Sequence, residues 1–322
     1  MPHSINFGTF NTKPRLTIIL MMKKNIYQTD VTKARNFLYQ LVAGQTPENA
    51  ATWLDQQTEK IKNDPTNKSL YISFSASPRF LGKGPLRFSE KEIQAAQSIR
   101  EGFSLESWTI DQAARVYFLL LIPAEDENHY LRTLQMLFNA ADVKEQKALY
   151  SALPLLAHPQ KLTKRAAEGI RTNMTVVFDA IALQNPYPAA YLDENAWNQM
   201  LLKAVFTERP LYKIYKSDER ANPKLAQMLR DFAHERWAAG RPVTPELWRY
   251  VAPFADDSYI PDIERILNEG SSFVREAGAL VCWQSDNAKV KALLDQQPVL
   301  KTTLTDGKLN WDDLGKRYLE SK

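Results

Sequence analysis

The chain has 322 residues, 44% hydrophobic and 24% charged, with 41 Lys and Arg against 37 Asp and Glu for a formal net charge of +4. That composition excludes a disordered or collagen-like chain, and its interspersed charges argue against a nucleic-acid-binding arm. A single cysteine, Cys282, excludes an internal disulfide, and its setting in FVREAGALVCW predicts a buried, inert thiol.

Residues 1–24 contain the apolar run LTIILMM, preceded by Lys13 and Arg15 and followed by Lys23 and Lys24. No small-residue cleavage site follows the run, so the segment is expected to be a loose N-terminal extension, with Met21 or Met22 as an alternative start. No stretch reaches the roughly 18 apolar residues of a membrane span. The expected setting is therefore the cytoplasm.

Residues 25–143 read as an N-terminal helical region. KSLYISFSASPRF alternates in a way that also fits a strand, but it has no partner strand, so a helix running to Pro78 is predicted. RFLGKGPLRF is a turn-rich loop in which Arg79 and Lys83 form a weak candidate anion site. FSEKEIQAAQSIREGF pairs Ser89 with Glu92 as a capping box, and WTIDQAARVYFLLLIP repeats the device with Thr109 and Gln112. In DVKEQKALYSALP, Asp142 and Glu145 stand at the same spacing.

Residues 144–322 are a succession of short helices punctuated by proline. ANPKLAQMLRDFAHERWAAGRP has Asn222 as N-cap, Pro223 at the first helical position and Gly240 past the end, with one apolar stripe through Leu225, Leu229, Phe232, Ala233 and Trp237. PELWRYVAPFADDSYIPDIERILNEG and SSFVREAGALVCWQSDNAKVKALLDQ share the form of a short helix, a turn and an Ala- and Leu-rich helix. The whole predicts an all-α protein, a HEAT-like α-α superhelix (solenoid) of short antiparallel helix pairs, with a globular helical bundle as the alternative and possible continuity with 25–143.

Strong catalytic motifs are absent. No GxSxG, P-loop or GxGxxG occurs. The four histidines are His3, His129, His158 and His234, and HERWA places Ala238 where a second zinc-binding His would stand, so no metal and no cofactor is expected. What stands out is a polar set between Arg165 and Arg249. In KLTKRAAEGIRT, Arg165 and Glu168 share one face while Leu162, Ala166 and Ile170 line another. RTNMTVVFDAIALQNPYP and YLDENAWNQMLLKAVF carry amides among large apolar residues, and the proline steps of QNPYPAAY predict a rigid extended loop. Buried amides and ions cost several kcal/mol unless paired, so the set is either a complete network or a binding site. The candidate ligand residues are Arg165, Glu168, Arg171, Asn173, Asn185, Tyr187, Trp197, Asn198, Lys203, Arg220, His234 and Arg241.

RAAEGIRTNMTVVFDAIALQNPYPAAYLDENAWNQMLLKAVF, followed by DERANPKLAQMLRDFAHERWAAGRPVTPELWRYVAPF, closely resembles the EboA family of metabolite-traffic proteins; FSASPRFLGKGPL is similar to the family's N-terminal half. The resemblance implies a place in a bacterial gene cluster beside a membrane prenyltransferase and several metabolic enzymes, with a role in delivering a secondary-metabolite precursor toward the periplasm. It implies as partners a small metabolite or other proteins of the pathway, the prenyltransferase among them, and hence a peripheral position at the inner membrane. It carries over no catalytic residue. Two functions stay open: an accessory protein that binds a metabolite or partner on a polar-aromatic concave surface, and an enzyme acting on a sugar-phosphate-like or prenylated intermediate, with His234 or Glu168 as base and Arg171 with Lys203 as anion clamp.

Overall fold

Asp30 accepts a hydrogen bond from the backbone N–H of Lys33 at 3.0 Å and opens α1, Val31–Ala43. The computed structural model describes residues 29–322, and the extension expected over 1–24 lies outside them. Among the described residues every regular element is helical, apart from an isolated bridge between Pro85 and Thr109 in the expected loop.

The first half is α1, α2 (Glu48–Lys62), α3 (Lys68–Phe80), α4 (Glu90–Ile99), α5 (Ile110–Leu119), α6 (Glu127–Ala140) and α7 (Val143–Ser151). α5 packs against α1, α3 and α7, and every residue from Asp111 to Leu119 is buried. A helix enclosed on all sides must satisfy its polar groups internally. Arg115 does so twice: its Nη1 meets Asp111 Oδ2 at 2.8 Å and its Nε donates to the carbonyl of Phe74 at 3.0 Å. That carbonyl lies four residues before Pro78, which has no N–H to give it. The side chain of Arg115 replaces the missing bond, and α3 runs past its expected end at Pro78 to Phe80.

The capping boxes Ser89–Glu92 and Asp142–Glu145 form as expected. The box expected from Thr109 and Gln112 does not. Thr109 Oγ1 donates to Asp111 Oδ1 at 2.7 Å, and Gln112 Nε2 donates to Ser151 Oγ at 3.0 Å, tying α5 to α7. Gln112 is buried, so its amide finds a partner across the interface instead of reaching back to the cap.

The second half comprises α8 (Thr163–Ile170), α9 (Thr175–Ala182), α10 (Tyr187–Tyr191), α11 (Glu194–Phe206), α12 (Pro223–Ala238), α13 (Ile260–Glu269), α14 (Ser272–Gln284), α15 (Ala288–Leu293), α16 (Pro298–Thr305) and α17 (Trp311–Glu320). PELWRYVAPF forms 3-10 turns at Pro245–Tyr250 and Ala252–Phe254, and the first of these packs on α14 and α17. Asn222 caps α12 by accepting from the N–H of Leu225 at 2.9 Å, and Gly240 beyond its end has φ +64°. The extended loop expected at QNPYPAAY is instead a single helical turn. Asn185 Oδ1 accepts from the N–H of Tyr187 at 2.9 Å and starts α10, and Pro188 falls in the first turn, where its missing N–H costs nothing. Buried apolar residues run continuously from Ala34 to Leu314, crossing position 143 through the contact of α5 with α7.

Candidate functional site

α8 ends where Ile170 turns into the link to α9. Gly169 sits between the two helices: a Cβ there would stand 2.5 Å from both Ile181 Cδ1 and Tyr150 Cε1, so only glycine permits this approach. The last carbonyls of a helix have no intrahelical donors. Here Lys203 on α11 supplies one, donating through Nζ to the carbonyl of Ile170 at 2.7 Å and to that of Thr172. Its ammonium also lies 5.1 Å from the ring centre of Phe178, and burial pushes its pKa down.

Around this junction α8, α9, α11 and α12 line a cavity of 490 Å³ that is open to solvent along Arg171, Asn173, Thr175 and Phe206. Arg171, Thr172, Asn173 and Thr175 line one side, Gln199, Leu202, Lys203, Phe206 and Thr207 the other, with Ile170, Phe178 and Phe232 completing the wall. Of the candidate residues, Arg171, Asn173 and Lys203 meet here. The volume falls in the range of small-molecule sites, and an apolar wall with a few polar groups is their usual character. The apolar members Leu202, Phe206 and Phe232 were not among the expected site residues. Their spacing is that of any core stripe, and only the fold shows that Phe206 stays 66% exposed.

Other candidates serve the protein's own framework. Asn198, 1% exposed, forms a reciprocal amide pair with Asn222: Asn198 Nδ2 donates at 3.1 Å and Asn222 Nδ2 donates back at 2.9 Å. Asn185 donates to the carbonyls of Tyr150 and Ala180, and the hydroxyl of buried Tyr187 donates to Pro159 O at 2.6 Å. Arg220 donates to the carbonyls of Pro188, Ala189 and Leu192 and stacks 4.5 Å from the ring centre of buried Trp197. Arg165 pairs with Glu168 at 3.2 Å and bonds Asn139. These seven are therefore engaged with the chain itself.

His234 faces another neighbour. Its Nε2 lies 2.7 Å from Asp262 Oδ1, while Arg230 Nε holds the other oxygen of that carboxylate at 2.7 Å. Neither His234 nor Glu168 lines the cavity of Arg171 and Lys203, so the arrangement of base and anion clamp required for the enzyme reading is absent there. Arg241 is exposed beyond α12; of the expected loop pair, Lys83 is exposed on the loop after α3, whereas Arg79 is exposed in the last turn of α3 itself. Among the described residues no three His, Cys, Asp or Glu side chains converge as a metal site, and no helix is long and apolar enough to cross a membrane. Cys282 is fully buried, which pushes its thiol up to about 12.

No curated protein and no solved structure matches the chain. A family model described as "Metabolite traffic protein EboA" matches residues 34–252, more than half of the chain and a span that includes every residue lining the cavity. The chain belongs to the EboA family of metabolite traffic proteins.

Proposed function

We propose that this protein is a non-catalytic accessory in the trafficking of a secondary-metabolite precursor, and that it binds that small metabolite in the cavity between α8, α9, α11 and α12. The observation that carries the reading is the meeting of Arg171, Asn173 and Lys203 with an aromatic wall in one 490 Å³ space. Family membership supports the role in traffic. The protein works in the cytoplasm and reaches the inner membrane through pathway partners, a membrane prenyltransferase among them. A HEAT-like stacking of residues 144–322 belongs to the same reading, supported by the packing of consecutive helices α11 on α12, α13 on α14 and α14 on α15.

The test is thermal unfolding of the purified chain against fractionated small-molecule extract from cells that carry the pathway. A ligand that binds only the folded state raises the midpoint in proportion to its occupancy. Wild type is expected to be stabilised by a fraction that has less effect on Thr175→Trp, a variant that places a bulky indole on the rim of the cavity. Equal stabilisation of both proteins by every active fraction would place the ligand elsewhere.

A further inference from the structure

The cavity lining contains two cations, Arg171 and Lys203, and no carboxylate. Two neighbouring arginines are matched: Arg209 grips Asp179 through two bonds of 2.8 and 2.6 Å, and Arg165 is held by Glu168. Among the described residues no acidic side chain forms an ion pair with Arg171 or Lys203. Lys203 spends two of its three N–H groups on the carbonyls of Ile170 and Thr172, which leaves one for the cavity. Those bonds also cover the carbonyl end of α8, a feature that would otherwise repel negative charge.

At the same rim α9 begins. Its cap residue Met174 supplies no side-chain acceptor, and Asn173 and Thr175 on either side of it line the cavity, so the positive end of the helix adds to the two side-chain charges. Beside this polar corner the lining is apolar: Phe178, its ring centre 5.1 Å from the Lys203 ammonium, with Leu202, Phe206 and Phe232. Phe206 extends apolar surface toward solvent, and Met174 and Val176, next in the chain to the lining residues Asn173 and Thr175, are also exposed.

Resting on the reading of the cavity as a ligand site, we infer that its ligand is an organic anion: a single carboxylate, sulfonate or phosphate-type head held by Arg171 and Lys203, carried on an apolar body that lies against the phenylalanines. A guanidinium and an ammonium both hold oxyanions through charge-assisted hydrogen bonds, and solvent around exposed Arg171 makes its share sensitive to salt. The same wall gives a cationic head no counter-charge. A neutral molecule keeps the apolar contacts and loses the polar ones.

Two fluorescent probes that share one aromatic body separate these terms. 1-Anilinonaphthalene-8-sulfonate carries the anionic head, and N-phenyl-1-naphthylamine lacks it. Wild type is expected to bind the sulfonate with one site and about tenfold or more preference over the neutral probe. Added salt should reduce that preference. Arg171→Gln, at an exposed residue whose side chain has no partner among the described residues, should bring the two affinities within about threefold while leaving the neutral probe unchanged and the fold intact by circular dichroism. Equal affinities in wild type, with both probes lost in Thr175→Trp, would overturn the anion assignment and leave the cavity standing as a ligand site. The assignment also falls if Arg171→Gln weakens both probes alike. If Thr175→Trp binds both probes as wild type does, the cavity itself is refuted as their site.

Discussion

Asn198→Ala separates the framework of this protein from its binding site. The side chain is 1% exposed and exchanges two hydrogen bonds with Asn222, which at the same time caps α12 on Leu225 and donates to the carbonyl of Arg220. Truncation leaves the Asn222 amide short of a donor and an acceptor in a half-buried setting, a loss of about 1–3 kcal/mol. Loosening of the cap adds about 0.5–1 kcal/mol. The expected total is roughly 1.5–4 kcal/mol, read as a fall in the urea midpoint at unchanged slope. Asn222→Ser retains a capping oxygen but not the amide pair, so in the Asn198→Ala background it should cost about 1 kcal/mol less than in wild type. Because Asn198 does not line the cavity, sulfonate-probe affinity should hold within about twofold. Strict additivity of the two substitutions, or a variant of near-normal stability that no longer binds the probe, would refute the division into framework and site.

Other substitutions probe charge and packing. Glu246 is 1% exposed, and burial pushes its carboxyl from 4.5 up to about 7, against the backbone N–H groups of Leu211 and Tyr212 that it accepts from. The folded chain then binds this proton more tightly than the unfolded one, so the group's contribution is fully present below pH 4.5 and lost as pH rises through 7, by about 3 kcal/mol. Glu246→Gln should flatten that part of the stability profile in urea titrations between about pH 5 and pH 8. Arg115→Met strands the buried carboxylate of Asp111 and the Phe74 carbonyl that Pro78 cannot serve, and should cost about 3–5 kcal/mol in the same assay. Gly169→Ala forces a methyl group against Ile181 and Tyr150, with an expected cost of about 1–3 kcal/mol, and by moving α8 relative to α9 it should also weaken sulfonate-probe binding.

What could be read from the chain was local. Ser89 with Glu92, Asp142 with Glu145 and Asn222 with Pro223 each carry their capping partner within three residues, and the helices start where those signals stand. Gln112 stands at the same spacing from Thr109 but bonds Ser151, because burial chose its partner. Pro78 was read as a stop, and only the distant Arg115 lets α3 continue. The polar set between Arg165 and Arg249 combined two things that sequence could not separate. Asn185, Asn198 and Arg220 satisfy the chain's own groups, whereas Arg171, Asn173 and Lys203 share a cavity. The aromatic wall was hidden because Phe232 falls on an apolar helical stripe and Phe206 is the last residue of α11, off that helix's buried line, and periodicity tells which face is apolar without telling what covers it.

Native mass spectrometry of the chain drawn intact from cells that carry the pathway tests the central claim most directly. The account predicts one bound organic anion per wild-type chain, released on unfolding, depleted in Arg171→Gln and absent from a folded Thr175→Trp. A wild-type chain that never carries a small molecule, or a plugged variant that carries the same one at the same occupancy, would contradict it.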